Sequence, residues 1–320
     1  MLTTYYSQEG HLRPGGEGNL QEALWIDLYE PSREEEGRVE AALKIGIPTR
    51  DEMREVESSS ALYAERGASF VTVRVVDRSD EDQPRLVSVT LILAQRQLVT
   101  LRYADPRSFQ QFTARTQKPD SIFSTATSAL LCLLETIVDR DADIMEEIGD
   151  RLEPISFEIF SQNAAAMKTI AAADLGGVLK RIGNSGELAS RVRQSLHSVG
   201  RSVPFLQMHV QDEPDLRVRL KTLGRDVQSL LEHDNFLQTQ IQFLLDSNIG
   251  LISIQQNAIM KTLSIAAVVF LPPTLIGSIY GMNFERMPEL HWHYGYLWAM
   301  GLMLCSAAGP LLYFRAKRWL

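Results

Sequence analysis

Between Thr262 and Ile279 the chain runs for eighteen residues without a formal charge. A helix of that length rises about 27 Å, close to the hydrocarbon thickness of a bilayer. The stretch therefore predicts a membrane-crossing helix. It is followed by Tyr280-Gly281-Met282-Asn283-Phe284 and Glu285-Arg286-Met287-Pro288-Glu289-Leu290, after which a second uncharged stretch occupies Gly295 to Phe314. The expected path is out, a short turn, and back.

Orientation follows from the basic residues. Lys261 flanks the first span, Arg315, Lys317 and Arg318 follow the second, and the connecting loop offers only Arg286. Positive charge is retained on the cytoplasmic side, so both ends are expected inside and the loop outside. Met1-Leu2-Thr3-Thr4-Tyr5-Tyr6 has neither a basic start nor an apolar core, so no signal peptide is expected and the soluble part stays in the cytosol. The net charge of −8, from 32 basic and 40 acidic residues, argues against nucleic acid as a partner and suits a surface that attracts cations. The two cysteines, Cys132 and Cys305, fall in different predicted helices and read as apolar filler, not a structural disulfide.

The first hundred or so residues read as mixed α/β. Leu24 to Leu28 and Ser69 to Val76 are strand-like, and Leu86 to Leu93 with Gln97 to Arg102 suggests a hairpin around Gln95-Arg96. Two capping boxes, Ser32 to Glu35 and Thr49 to Glu52, predict helix starts. Acidic runs at Glu34 to Glu36 and at Asp77, Asp80, Glu81 and Asp82 are solvated faces on the plain reading, or a regulatory cation site on the sharper one. From about Ser121 to Phe160 apolar residues recur at helical spacing, with Pro154 expected to kink or end the run near Glu153. A second helix is expected from Ala171 to about Val199, loosened or split at Gly183-Asn184-Ser185-Gly186.

Beyond Pro214 the pattern sharpens. Leu220, Leu223, Val227, Leu230, Asp234, Leu237, Ile241, Leu244, Asn248, Leu251 and Gln255 follow a four-three alternation, a heptad seam that predicts a long helix packed along its length. The polar Asp234, Asn248 and Gln255 either fix register or face a wet interior. No proline separates this stalk from the first span, so one helix is expected from about Asp215 to Tyr280. Within the span Asn257, Met260, Leu263 or Ser264, Ala267, Leu271, Thr274 and Ser278 share a stripe. Such a Met and Leu stripe reads by itself as ordinary helix packing.

The tripeptide Gly281-Met282-Asn283 at the end of the first span, Met287-Pro288-Glu289-Leu290 after it, Phe270-Leu271-Pro272-Pro273-Thr274 before it and Tyr313-Phe314-Arg315 to Trp319-Leu320 at the close resemble the CorA-type magnesium channels. The resemblance is closest over residues 235–320. It implies an α+β cytosolic domain, an α/β/α sandwich, joined by a long stalk helix to a two-helix transmembrane domain, in a pentameric funnel. The implied plan is a cytosolic α/β domain over 1–120, a helical region over 121–212 and the stalk over 213–258. The first span and selectivity motif would occupy 259–284, a periplasmic loop 285–294, the second span 295–314 and a basic cytosolic tail 315–320.

By the same resemblance Gly281, Met282 and Asn283 select the ion, Asn257, Met260, Leu263, Leu271 and Thr274 line the pore with Ser278 on the same stripe, and the function is passive import of hydrated magnesium, with cobalt or nickel as passengers. Glu285 and Glu289 would raise the cation concentration at the mouth. Cytosolic magnesium between subunits would hold the pore closed, with Asp226, Asp234 and Asp246 as stalk candidates. The implied partners are four further copies of the chain, the lipid bilayer of the bacterial inner membrane and divalent cations. No phosphate-binding loop or catalytic constellation is legible, so neither an enzyme nor an organic cofactor is expected. His291 and His293 form a His-x-His, and Arg286 sits where an aromatic or neutral residue is expected, which leaves a zinc-handling relative open. A membrane-tethered sensor without flux is the alternative from another class.

Overall fold

The structure is a computed structural model that describes residues 1–8, 10–16, 18–55, 57–79, 84–118, 123–160, 172–210, 213–282 and 287–317. The chain divides into two compact units. One comprises Met1–Asn163 and Gly177–Leu245, the other Ala164–Gly176 and Asp246–Leu320.

The first unit is built on seven strands, β1 (Leu2–Gln8), β2 (His11–Gly16), β3 (Trp25–Tyr29), β4 (Leu62–Glu65), β5 (Ala68–Asp77), β6 (Arg85–Ala94) and β7 (Gln97–Arg102), in the order β2-β1-β3-β7-β6-β5-β4. Every neighbouring pair is antiparallel except β3 and β7, which run parallel with Trp25 opposite Leu98 and Tyr29 opposite Arg102. Leu98, Val99 and Leu101 are all fully buried, an apolar run that only a strand covered on both faces requires. On one face Ile26, Leu28, Phe70, Ile92 and Val99 pack with Val39 of α1 (Arg33–Leu43). On the other, Trp25, Val73, Leu91 and Leu98 pack with Phe109 and Phe112 of α3 (Arg107–Thr116) and with the apolar side of α4 (Ala126–Phe160). The result is an α/β/α sandwich; α2 (Ser58–Ala61) is a single turn before β4.

Local signals account for several boundaries. Ser32 and Glu35 complete the capping box of α1, whereas the box at Thr49 and Glu52 opens only the three-residue 3-10 turn Glu52–Arg54. The β6–β7 hairpin turns at Gln95-Arg96, with Gln95 at φ 48. The strands β1, β2 and β4 and the helix α3 were not foreseen.

At two helices the break that the sequence allowed does not occur. α4 passes through Pro154 to Phe160, and α5 (Ala172–Gln207) runs without a break through the two glycines and through Pro204. Pro154 and Pro204 both face solvent, where water can satisfy the carbonyl each one frees, while Leu152 with Ile155 and Val203 with Leu206 stay in the core on either side. Packing of the buried face outweighs the local cost of proline.

α6 (Pro214–Tyr280) is one helix of 67 residues. From Leu220 to Asn248 its seam is buried apart from the half-buried Leu230, but against this same chain: a Cβ on Gly200 of α5 would meet Val227 at 3.2 Å, and one on Gly224 would meet Val203 at 3.3 Å. Two glycines thus let α5 and α6 approach closely. Asp234, fully buried, accepts a hydrogen bond from Arg193 Nε of α5, and Arg193 also donates to Asn235 at 2.7 Å. The two halves of this pair are not equivalent, because Arg193 is 36% exposed and Asp234 is not exposed at all. Arg193→Met strands a buried carboxylate and is expected to lower stability by about 3 kcal/mol, whereas Asp234→Asn leaves a guanidinium that water can reach and should cost less. Melting temperatures of the two purified variants check the order; equal losses would contradict it.

In the second unit, Asn248 donates to the Leu175 carbonyl at 3.1 Å, so this seam position is a helix-to-backbone clasp. After α6 come the 3-10 turn Pro288–His291 and α7 (Gly295–Ala316). Gly295 has no substitute at the start of α7: a Cβ there would lie 2.2 Å from the Glu289 carbonyl oxygen.

Candidate functional site

The apolar half of α6 and the whole of α7 are each long and uncharged enough to cross a membrane, and only 6% of either apolar window is buried. A core helix of a soluble protein would be covered. These two present Val268, Phe270, Leu275, Leu304 and Leu312 outward, which lipid or neighbouring helices must cover.

On α6 the stripe foreseen from the sequence is continuous and open. Asn257, Met260, Leu263, Leu271, Thr274 and Ser278 are all exposed, with Met260, Leu263 and Leu271 at 60–66%. Ile265, on the far side of the helix, is buried. The hydroxyls of Ser264 and Thr274 donate to the carbonyls of Met260 and Phe270, at 2.8 and 2.7 Å, which leaves their oxygens facing outward as acceptors. The helix runs on through Pro272 and Pro273, whose missing N–H groups free the carbonyls of Val268 and Val269. In a membrane those carbonyls need a neighbouring helix or water.

α6 ends on the tripeptide. Gly281 N–H still donates to Gly277 O at 2.9 Å, and Met282 N–H donates to Ile279 O at 3.2 Å. Met282 is half exposed. Asn283, Glu285 and Arg286 lie outside the described residues, as do Asp80, Glu81 and Asp82 of the second acidic run. Glu289 is half-buried in the turn before α7. His291 and His293 are exposed; His291 Nδ1 lies 3.4 Å from the Met287 carbonyl and His293 packs edge-on to Tyr294. Among the described residues no three His, Cys, Asp or Glu side chains come together to hold a metal within one chain.

The stalk carboxylates separate into two kinds. Asp226 and Asp246 are exposed on α6, whereas Asp234 is committed to Arg193. A metal at Asp234 would first have to displace that guanidinium. Arg193 itself went unnoticed in the sequence, since nothing local marks a partner 41 residues away. Also overlooked was a band of exposed aromatics, Trp292, Tyr294, Tyr296 and Trp298, around the start of α7. Amphipathic rings gather at the headgroup level of a bilayer, and their spacing was open to inspection.

Residues 21–318 match the family model described as CorA-like Mg2+ transporter protein. A magnesium transport protein CorA of Sodalis glossinidius (strain morsitans) is 32% identical over 304 residues, covering 95% of this chain and 94% of that protein. Its counterpart in Haemophilus ducreyi (strain 35000HP / ATCC 700724) is 32% identical over 301 residues, with 94% and 93% covered. Among solved structures, the complete CorA magnesium transporter of Methanocaldococcus jannaschii superimposes with a TM-score of 0.74 at 19% identity, over 100% of this chain and 99% of that one. That likeness extends to the α/β domain, the long helix and the two C-terminal helices alike.

Proposed function

The chain belongs to the family of CorA-like Mg2+ transporter proteins, and on that premise we propose that it forms a passive channel through which hydrated magnesium enters the cytosol. The observation that carries this reading is the exposed stripe from Asn257 to Ser278 on an unbroken helix that ends at Gly281-Met282-Asn283. Two helices cannot enclose water, so the stripe becomes a pore wall only when several copies, five in the family, surround an axis. Apolar rings of Met260, Leu263 and Leu271 then form a constriction that closes by dewetting. Asn257 before those rings and Thr274 and Ser278 beyond them supply the oxygens that a hydrated cation needs on either side of the constriction.

Magnesium prefers six oxygens in octahedral array and releases its water reluctantly, so a mouth of neutral amide oxygens recognises it through the waters it keeps. Entry is driven by the membrane potential, which favours each positive charge by about 2.3 kcal/mol per 100 mV when the inside is negative. The chain acts as a transporter and not an enzyme, with both of its ends in the cytoplasm and its spans in the inner membrane.

Purified protein in liposomes loaded with a magnesium-sensitive dye tests the proposal. Uptake should rise with an inside-negative potential and need no nucleotide; no flux above protein-free vesicles would favour a tethered sensor. For closure by cytosolic magnesium, the exposed carboxylates Asp226 and Asp246 are the stalk residues a metal shared between copies can reach, and Asp234 contributes only if Arg193 moves away. The double variant Asp226→Ala/Asp246→Ala should therefore keep conducting when internal magnesium is raised to a level that closes the parent. Parental inhibition in that variant would remove both residues from the gating scheme.

A further inference from the structure

The strands β3 and β7 are the parallel pair of the sheet, and their carboxyl ends open side by side into a groove of about 720 Å3 in the first unit. In open α/β sheets the crevice outside the carboxyl ends of the strands is where ligands bind. A smaller recess of about 140 Å3, lined by Met53, Arg54 and Ser88, adjoins the groove and shares Tyr103, Arg50, Leu86 and Val87 with it. One compartment is therefore wide, and the other is ring-sized, with the apolar surfaces of Met53, Leu86, Val87 and Tyr103 set among the polar groups of Arg50, Arg54 and Ser88.

The charges are arranged to match. Arg50 and Arg85 face the groove and make no ion pair among the described residues, while Arg78 and Arg191 on its rim lie against Asp77 and Glu187. The Arg50 guanidinium lies 5.0 Å from the centre of the Tyr103 ring, at the junction of the two compartments. A guanidinium held flat on a ring keeps its edge free for bidentate contact with phosphate oxygens and offers a plane on which a base can stack. Glu30 and Arg78, which both line the groove, hold left-handed backbone conformations, φ 43 and φ 53. Non-glycine residues in that region carry strain that gathers at ligand sites.

We propose that this groove binds a nucleoside triphosphate, with the base in the recess at Tyr103 and the phosphates on Arg50 and Arg85. The groove carboxylates Glu30 and Asp77, with Asp105 paired to Arg102, suit the hydroxyl and amino donors of a nucleoside, or magnesium carried on its phosphates, and disfavour a bare anion. The site lies in the α/β domain and supplies no energy for transport. A regulator that reports the nucleotide-bound share of magnesium is the role it fits. This inference does not depend on flux, and its test reads binding alone.

The test uses the full chain in detergent with three probes, magnesium–ATP, inorganic tripolyphosphate and adenosine, measured by calorimetry. Magnesium–ATP should bind saturably with a Kd below about 1 mM, tripolyphosphate more weakly, and adenosine more weakly still. R85E and R50E should each raise the Kd at least about tenfold, the loss of one charge-assisted contact, while R13E, on β2, leaves it unchanged. No saturable binding of magnesium–ATP, or binding that survives both substitutions in variants that melt like the parent, overturns the proposal. Tripolyphosphate binding as tightly as ATP would overturn the assignment of the recess to a base.

Discussion

Replacing Asn283 with alanine is expected to reduce magnesium uptake by proteoliposomes to the level of protein-free vesicles, with the variant still assembling and melting like the parent. The argument starts from the ion. Magnesium gives up its waters so reluctantly that a selective mouth has to bind those waters, and only oxygen acceptors at fixed positions can do so. Beyond the end of α6 at Tyr280, backbone hydrogen bonds from Gly281 to Gly277 and from Met282 to Ile279 hold the two residues that precede Asn283 in the chain. A ring of alanines there would offer methyl groups to a doubly charged hydrated ion, which loses every acceptor at once. Asn283→Asp separates the two properties of the amide, since it keeps the oxygens and adds charge. It should bind magnesium more tightly at the mouth and conduct more slowly. Parental uptake by Asn283→Ala would remove the amide collar from the mechanism.

The second large effect concerns stability and pH. Asp141 of α4 is 1% exposed, and burial pushes its pKa from the usual carboxylate range up to about 8, against smaller opposing effects of Ser195 on α5 and Arg140 beside it. Asp141 Oδ2 and Ser195 Oγ have no hydrogen-bond partner among the described residues. The folded protein thus keeps a proton that the unfolded chain gives up at about pH 4. Wherever the folded state binds more protons, stability falls as pH rises. The contribution of Asp141 is therefore most favourable below about pH 4, declines through the window from there to about pH 8, and is flat beyond. Asp141→Asn removes the titrating group. It is expected to raise stability at pH 8 by on the order of 3–5 kcal/mol relative to pH 4. Melting temperatures of parent and variant across that window measure the difference, and parallel curves would mean that Asp141 ionises normally in the folded state.

Legibility in the sequence varied with distance along the chain. The long helix was readable because its signal is local and repeated: a seam every three or four residues from Leu220 to Leu244, which the structure buries, and then an uncharged run of membrane length. The hairpin at Gln95-Arg96 and the start of α1 at Ser32 were readable for the same reason. The strands β1 and β2 were not, because Leu2 to Gly16 mixes tyrosine, threonine, glycine and charge without clean alternation and is held by pairing with β3. Nothing near Trp25 indicates that it lies parallel to Leu98. At the proposed site, the stripe and the tripeptide were visible, whereas the distinction among Asp226, Asp234 and Asp246 was not. All three sit on one helix, and only the placement of Arg193 decides that Asp234 is buried in an ion pair.

The sequence by itself determined the two membrane-length helices, the continuity of the stalk with the first of them, and the stripe and tripeptide of the proposed pore. Each depends on spacing within a single helix, and spacing is a property of order along the chain. Only the tertiary structure decided what the seam packs against, which prolines are tolerated, which carboxylate is buried and where β3 and β7 open a groove. Those outcomes depend on desolvation and on partners brought together from distant parts of the chain, and burial is not a property that any residue carries alone.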